Sequence, residues 1–123
     1  MLNMKKMLTK ILSFLGVEDI SSQITFGGAW TGLHKRAYKI GNLVVISLEA
    51  TTSTIVAGAL YTIANIASGY RPRNGTLLSA HTTNESYVPQ AVVNSWAEAD
   101  GKITVRPSNA NGTYFMISGA YII

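Results

Sequence analysis

The chain has 123 residues, which is the size of one domain with a single core. Hydrophobic residues make up 47% of it and charged residues only 13%, well below the roughly 25% that is usual, so we expect part of the apolar surface to face other subunits. The absence of cysteine excludes disulfides and thiolate chemistry. The formal net charge of +4 comes from scattered basic residues, which do not form the patch expected of a nucleic-acid binder.

The first predicted element is a short amphipathic helix over residues 1–16. Its apolar side chains recur at alternating steps of four and three, and they are Met4, Leu8, Ile11 and Leu15. Such a helix is too short to be stable alone. It packs on its own domain, joins subunits in a three-helix bundle, or lies on a membrane surface. Lys10 interrupts the apolar run and Glu18-Asp19 follows it, so we expect neither a signal peptide nor membrane insertion.

From Ser21 onward the pattern is typical of β-strands, with β-branched and aromatic residues interrupted by turn signals. Residues 17–23 are predicted to be a joint, and residues 24–123 an all-β antiparallel sandwich or barrel of about seven strands. The strand at 43–50 is predicted to be buried on both faces. Turn signals at Gly41-Asn42, Asp100-Gly101 and Asn111-Gly112 separate neighbouring strands.

Three segments carry a resemblance to a known family. The first is Tyr38-Lys39-Ile40-Gly41-Asn42-Leu43-Val44-Val45-Ile46. The second is Thr62-Ile63-Ala64-Asn65-Ile66-Ala67-Ser68-Gly69-Tyr70-Arg71-Pro72. The third joins Gly101-Lys102-Ile103-Thr104-Val105 with Ile117-Ser118-Gly119-Ala120-Tyr121-Ile122. In this order they resemble the C-terminal receptor-binding head domains of siphophage tail-fibre and baseplate proteins, over roughly residues 24–122.

The resemblance implies a homotrimeric head at the tail tip or baseplate of a virion, made in the cytoplasm of the bacterial host. It implies contact with other phage tail proteins and adsorption to a bacterial surface polysaccharide or teichoic acid. It implies no catalysis. The main alternative is a structural trimerisation or spacer module without a ligand, and a single-stranded nucleic-acid binder of barrel type is a further one.

Catalytic and metal sites are not expected from the residues themselves. Beyond the N-terminal stretch the acidic residues are few, and Glu98 with Asp100 reads as a charged hairpin turn rather than a glycosidase pair. His34 and His81 lack a nucleophile-elbow motif and the spacing of metal ligands. No glycine loop of the phosphate-binding kind is present, so no cofactor is expected.

Glycan binding requires an aromatic face beside hydrogen-bonding side chains. The candidates are aromatic or polar residues near predicted turns or strand ends, and they are Trp30, His34, Tyr70, Arg71, Arg73 and Trp96. Two alternatives stay open. Either tryptophan can serve core or subunit packing, and Tyr70 with Arg71 can shape the chain where Gly69 and Pro72 bend it.

Overall fold

The computed structural model describes residues 3–14 and 16–123 of the chain. One α-helix, α1 (Met4–Phe14), precedes the strands. The strands are β1 (Val17–Asp19), β2 (Ile24–Phe26), β3 (Thr31–Ile40), β4 (Leu43–Thr51), β5 (Tyr61–Ile66), β6 (Thr76–Thr83), β7 (Pro89–Ala97), β8 (Lys102–Pro107) and β9 (Tyr114–Ile122). A 3-10 helix, Ser21–Gln23, lies between β1 and β2.

The strands form one antiparallel sheet in the order β1-β3-β4-β9-β6-β7-β8-β5-β2. Its two edge strands, β1 and β2, are joined by the 3-10 helix alone, so one short stretch of chain pairs with β3 on one side and β5 on the other. Lys35 Nζ donates a hydrogen bond to the carbonyl oxygen of Ile24 at 2.8 Å across this junction. The sheet therefore curls into a half-barrel.

The predicted all-β antiparallel fold is confirmed, but the prediction of about seven strands is not. Seven longer strands are present, and β1 and β2 add two strands of three residues each within the described residues. The predicted joint at 17–23 contains β1, which pairs with β3, and the 3-10 helix. Strands of three residues carry too little periodicity to be read from sequence.

The core fills the inside of the curl, where alternate residues of each strand meet. On β4 the inward side chains are Val44, Ile46, Leu48 and Ala50, all buried. The prediction that this strand is buried on both faces is wrong, because Leu43 and Val45 point outward and are 36% and 39% exposed. Successive side chains of a strand point to opposite faces, and here the outer face is apolar without being covered.

Helix α1 lies apart from the core and contacts mainly β1. Its apolar residues Met4, Leu8 and Ile11 are exposed, and Leu15, the last member of the predicted stripe, lies outside the described residues. Asn3 accepts a hydrogen bond from the backbone N–H of Lys6 at 2.8 Å and so caps the first turn. No helix in the described ranges has the length and apolar content needed to span a membrane.

Candidate functional site

Trp96 is the most exposed aromatic side chain on the outer face of a long strand. Strand β7 alternates strictly, so that Ala91, Val93, Ser95 and Ala97 are buried while Trp96 is 44% exposed. The buried Ser95 hydroxyl donates a hydrogen bond to the Thr104 carbonyl oxygen at 2.9 Å, which satisfies the one polar group on the inner side of β7. The strand thus holds the indole rigidly at the surface.

The neighbours of Trp96 are set by the register of the β7–β8 hairpin. Thr104 lies directly opposite Trp96, and Arg106 lies directly opposite Asn94. On the same face, opposite partners bring their Cβ atoms to within roughly 5 Å of each other. Together with Leu60 and Glu98 these side chains line an open pocket of about 280 Å³.

The pocket contains a hydroxyl with no partner. Thr104 is buried, and its Oγ1 has no hydrogen-bond partner within the described part of the chain. Buried polar atoms nearly always find a partner in folded proteins. This oxygen has less than 1 Å² of accessible surface, so a water or ligand in the pocket reaches it only when a covering side chain moves. An indole face, a guanidinium, an amide, a carboxylate and a free hydroxyl are the groups that recognise a sugar.

Trp30 occupies a different environment. Its ring meets Phe115 edge-to-face with ring centroids 5.1 Å apart, and it meets Tyr61 at 6.1 Å in the same manner. Edge-to-face aromatic pairs stabilise a core beyond the area that they bury. These contacts favour the core-packing alternative for Trp30.

The predicted cluster of Tyr70, Arg71 and Arg73 is engaged with the backbone. The carbonyl oxygen of Tyr70 accepts a hydrogen bond from a buried tyrosine of β9, and Arg71 Nε donates to the Ile66 carbonyl oxygen at 2.9 Å. Arg73 Nη2 donates to the carbonyl oxygen of Ile123 at 3.1 Å. Arg73 also lines an open pocket of about 420 Å³ near the chain end. These bonds favour a structural role for the segment.

His34 lies on the outer face of β3, opposite Glu49 of β4. It lines a second outer depression of about 260 Å³, in which Glu49, His81 and three serines also take part. The six predicted residues are therefore not brought into one site. Only His34 and Trp96 share the outer face of the sheet, and they lie on different strands.

Asn94, Thr104 and Arg106 were not predicted as site residues, although a signal for them exists. The Asp100-Gly101 turn makes β7 and β8 a hairpin, and pairing the residues symmetrically about Asp100 places Thr104 opposite Trp96. Hairpin register alone would thus have found the pocket.

Two further features of the described residues bear on chemistry. No group of three or more histidine, aspartate or glutamate side chains in the described ranges could hold a metal ion. A cleft of about 580 Å³ lies between α1 and the β1/β3 edge, where Lys5 and Arg36 face Glu18 and Asp19. The Ser21 hydroxyl and backbone N–H donate to the Asp19 carboxylate, and these bonds lower the pKa of Asp19.

A scan of the chain against models of known protein families finds no match, and a search of curated proteins also finds none.

Proposed function

We propose that the chain is the head domain of a phage tail-tip or baseplate protein and that it binds a glycan on the bacterial surface during host adsorption. The sequence resemblance supports the assignment to a phage tail, and the Trp96 pocket supports the binding of a glycan. The single observation that carries the proposal is an exposed indole, held by a rigid strand, beside a buried hydroxyl without a partner.

The chemistry of the pocket matches a pyranose ring. The apolar C–H face of a sugar stacks on an indole, while its hydroxyls both donate and accept hydrogen bonds. Arg106 and Asn94 supply donors, Glu98 supplies an acceptor, and the Thr104 hydroxyl can do either. The pocket is open and shallow, which suits recognition of a chain on a cell surface more than enclosure of a reacting substrate.

We propose that three copies assemble into one head. Ile40, Leu43 and Ile122 are cross-strand neighbours on the outer face of β3, β4 and β9, and all three are exposed in the single protomer. A contiguous apolar row on a sheet face is typical of a subunit interface. The exposed stripe of α1 is a second surface that a neighbouring copy can cover.

A structural trimerisation or spacer module is the second candidate, and the same apolar row favours it. That module needs contact between copies but no ligand, so it predicts no role for Trp96 beyond packing. The two candidates therefore differ in a single observable, which is glycan binding by the assembled protein.

The test is a printed array of bacterial surface glycans probed with the wild-type protein and two variants. We expect Trp96→Ala and Arg106→Ala to weaken binding at least about tenfold, or about 1.4 kcal/mol. Val88→Ala is the matched control, since Val88 immediately precedes β7, is 50% exposed and does not line the pocket. Binding that survives in Trp96→Ala, or an array with no bound glycan, refutes the proposal.

A further inference from the structure

One row of outward residues crosses six adjacent strands of the sheet. The pairs in register are Arg36 with Ser47, Ser47 with Ser118, Ser118 with Ser79, Ser79 with Asn94, and Asn94 with Arg106. All six side chains are exposed. We name this set the serine row. At roughly 4.8 Å between strands it extends for roughly 24 Å along the curved surface.

The serine row is a groove because its central side chains are small and most of its neighbours are large. The row on one side contains Tyr38, Val45, Leu77 and Trp96, and Ala120 leaves a gap in it between Val45 and Leu77. The row on the other side contains His34, Glu49, Met116, His81 and Val92. Serine extends only one heavy atom past Cβ, so the floor lies below the larger side chains on both sides. The groove runs across the strands rather than along them.

Two depressions open along this groove. The Trp96 pocket includes Asn94 and Arg106 of the serine row, and the second depression includes Ser47, Ser79 and Ser118. The two are adjacent, because Ser79 and Asn94 are directly paired across β6 and β7.

Each depression contains a buried polar atom without a partner. In the second depression it is Glu49 Oε1, which is shielded from solvent and accepts no hydrogen bond of normal geometry in the described residues. The Tyr87 hydroxyl lies near the Glu49 carboxylate, whose charge raises the pKa of Tyr87. In the Trp96 pocket it is Thr104 Oγ1. A buried carboxylate oxygen without a donor is costly, and a ligand hydroxyl that donates to it would remove that cost.

We infer that the two depressions are subsites of one groove that holds a linear, neutral polysaccharide across the strands. This inference rests on the proposed function and extends it from one sugar to a chain. Hydroxyl-bearing side chains and the free Glu49 oxygen suit a polyhydroxylated chain with donors along its length. Each depression contains a carboxylate, Glu49 in the second and Glu98 in the Trp96 pocket, and Arg106 is the one arginine or lysine among the described residues that lines either. The negative charges oppose the phosphates of a teichoic acid in both places, and Arg106 offsets only one of them.

The test uses a glycan array that carries homologous series from single sugars to long oligomers. The expected result is affinity that rises with chain length in the wild-type protein. Ser118→Tyr fills the middle of the groove. It should weaken the binding of long oligomers about tenfold and change the binding of single sugars less than about twofold. The near-isosteric Glu49→Gln should act in the same direction. Thr25→Tyr, an exposed strand position on β2, is the control.

The outcomes separate the two claims. Trp96→Ala should weaken the binding of short and long oligomers to the same extent. If Trp96→Ala weakens binding but length, Ser118→Tyr and Glu49→Gln have no effect, the groove is refuted and the single-sugar pocket stands. If no sugar binds, both claims fail.

Two further measurements test the nature of the ligand and of this face. Steep loss of binding with added salt would indicate phosphate-bearing ligands and overturn the inference that the polysaccharide is neutral. Loss of the oligomer in Ser118→Tyr, measured by sedimentation, would show that a second copy covers this face instead.

Discussion

The hydroxyl of Tyr121, on the last strand, donates a hydrogen bond of 2.7 Å to the backbone carbonyl oxygen of Tyr70. The bond ties β9 to the bend that follows β5, between residues 51 positions apart in the chain. Tyr121 is only 2% exposed, and burial raises its pKa to about 12 from an ordinary value of 10.0. The neutral phenol is therefore the form that the folded protein requires.

Alkaline pH should destabilise the domain through Tyr121. Because the pKa is higher in the folded state, the stabilisation is complete below pH 10 and is lost as the pH rises from 10 to about 12. The expected loss is about 3 kcal/mol in the free energy of unfolding, measured by chemical denaturation at each pH. Tyr121→Phe should cost about 1 kcal/mol at neutral pH and flatten this dependence. If the stability of Tyr121→Phe falls with pH as steeply as that of the wild-type protein, other groups cause the alkaline destabilisation.

Gly101 is predicted to resist substitution because its backbone and its surroundings both exclude a side chain. Its φ is +96°, and an added Cβ would lie 2.5 Å from Arg71 Nε and 2.7 Å from the Ile66 carbonyl oxygen. Gly101→Ala should lower the free energy of unfolding by about 3 kcal/mol. Gly69→Ala is the control, since Gly69 has a similar φ of +94° but open space around it. It should cost only about 1 kcal/mol. Equal losses would show that crowding has no part.

Substitution of Trp30 should lower the stability of the domain, whereas substitution of Trp96 should lower glycan binding and leave stability nearly unchanged. Trp30→Ala removes two edge-to-face contacts with Phe115 and Tyr61 and should lower the free energy of unfolding by about 2 kcal/mol. For a domain of this size that is roughly 8 °C in the melting temperature. Trp96→Ala should change it by less than about 1 kcal/mol. Thermal melts of the two variants check this. A stable Trp30→Ala protein would mean that the ring is free to serve a ligand.

The apolar row of Ile40, Leu43 and Ile122 should control assembly. We expect the wild-type protein to sediment as three copies of the 13.2 kDa chain. Ile122→Lys should give folded monomers, because a buried, unpaired ammonium in the interface is costly while the same group on a free surface is not. Val92→Lys, on the outer face but away from this row, should leave the oligomer intact. A wild-type monomer at micromolar concentration contradicts the trimer.

Much of the fold could be predicted because its signals are local. The Asp100-Gly101 turn has positive φ at Gly101, and it places β7 and β8 in the hairpin that the sequence indicates. Strands β1 and β2 could not be predicted in the same way. Each has three residues, and each forms only because the curled sheet presents β3 and β5 for pairing.

The site depended on information that is not local. Trp30 lies among glycines and polar residues, which suggested a loop aromatic, but its packing is decided by Phe115 on the last strand. Leu43 and Val45 are apolar like their inward neighbours, so the residue types of β4 do not reveal which of its side chains point inward and which point outward. The serine row joins residues from six strands, and only the register of the whole sheet brings them together.

The most direct test of glycan binding at Trp96 is its own fluorescence. The chain has two tryptophans, so Trp30→Phe leaves Trp96 as the single indole reporter. Titration with the glycan that binds the array most strongly should shift or quench its emission in a saturable manner, at the concentration that half-saturates the array. Glycan that binds with no change in Trp96 emission at saturation would show that the site lies elsewhere.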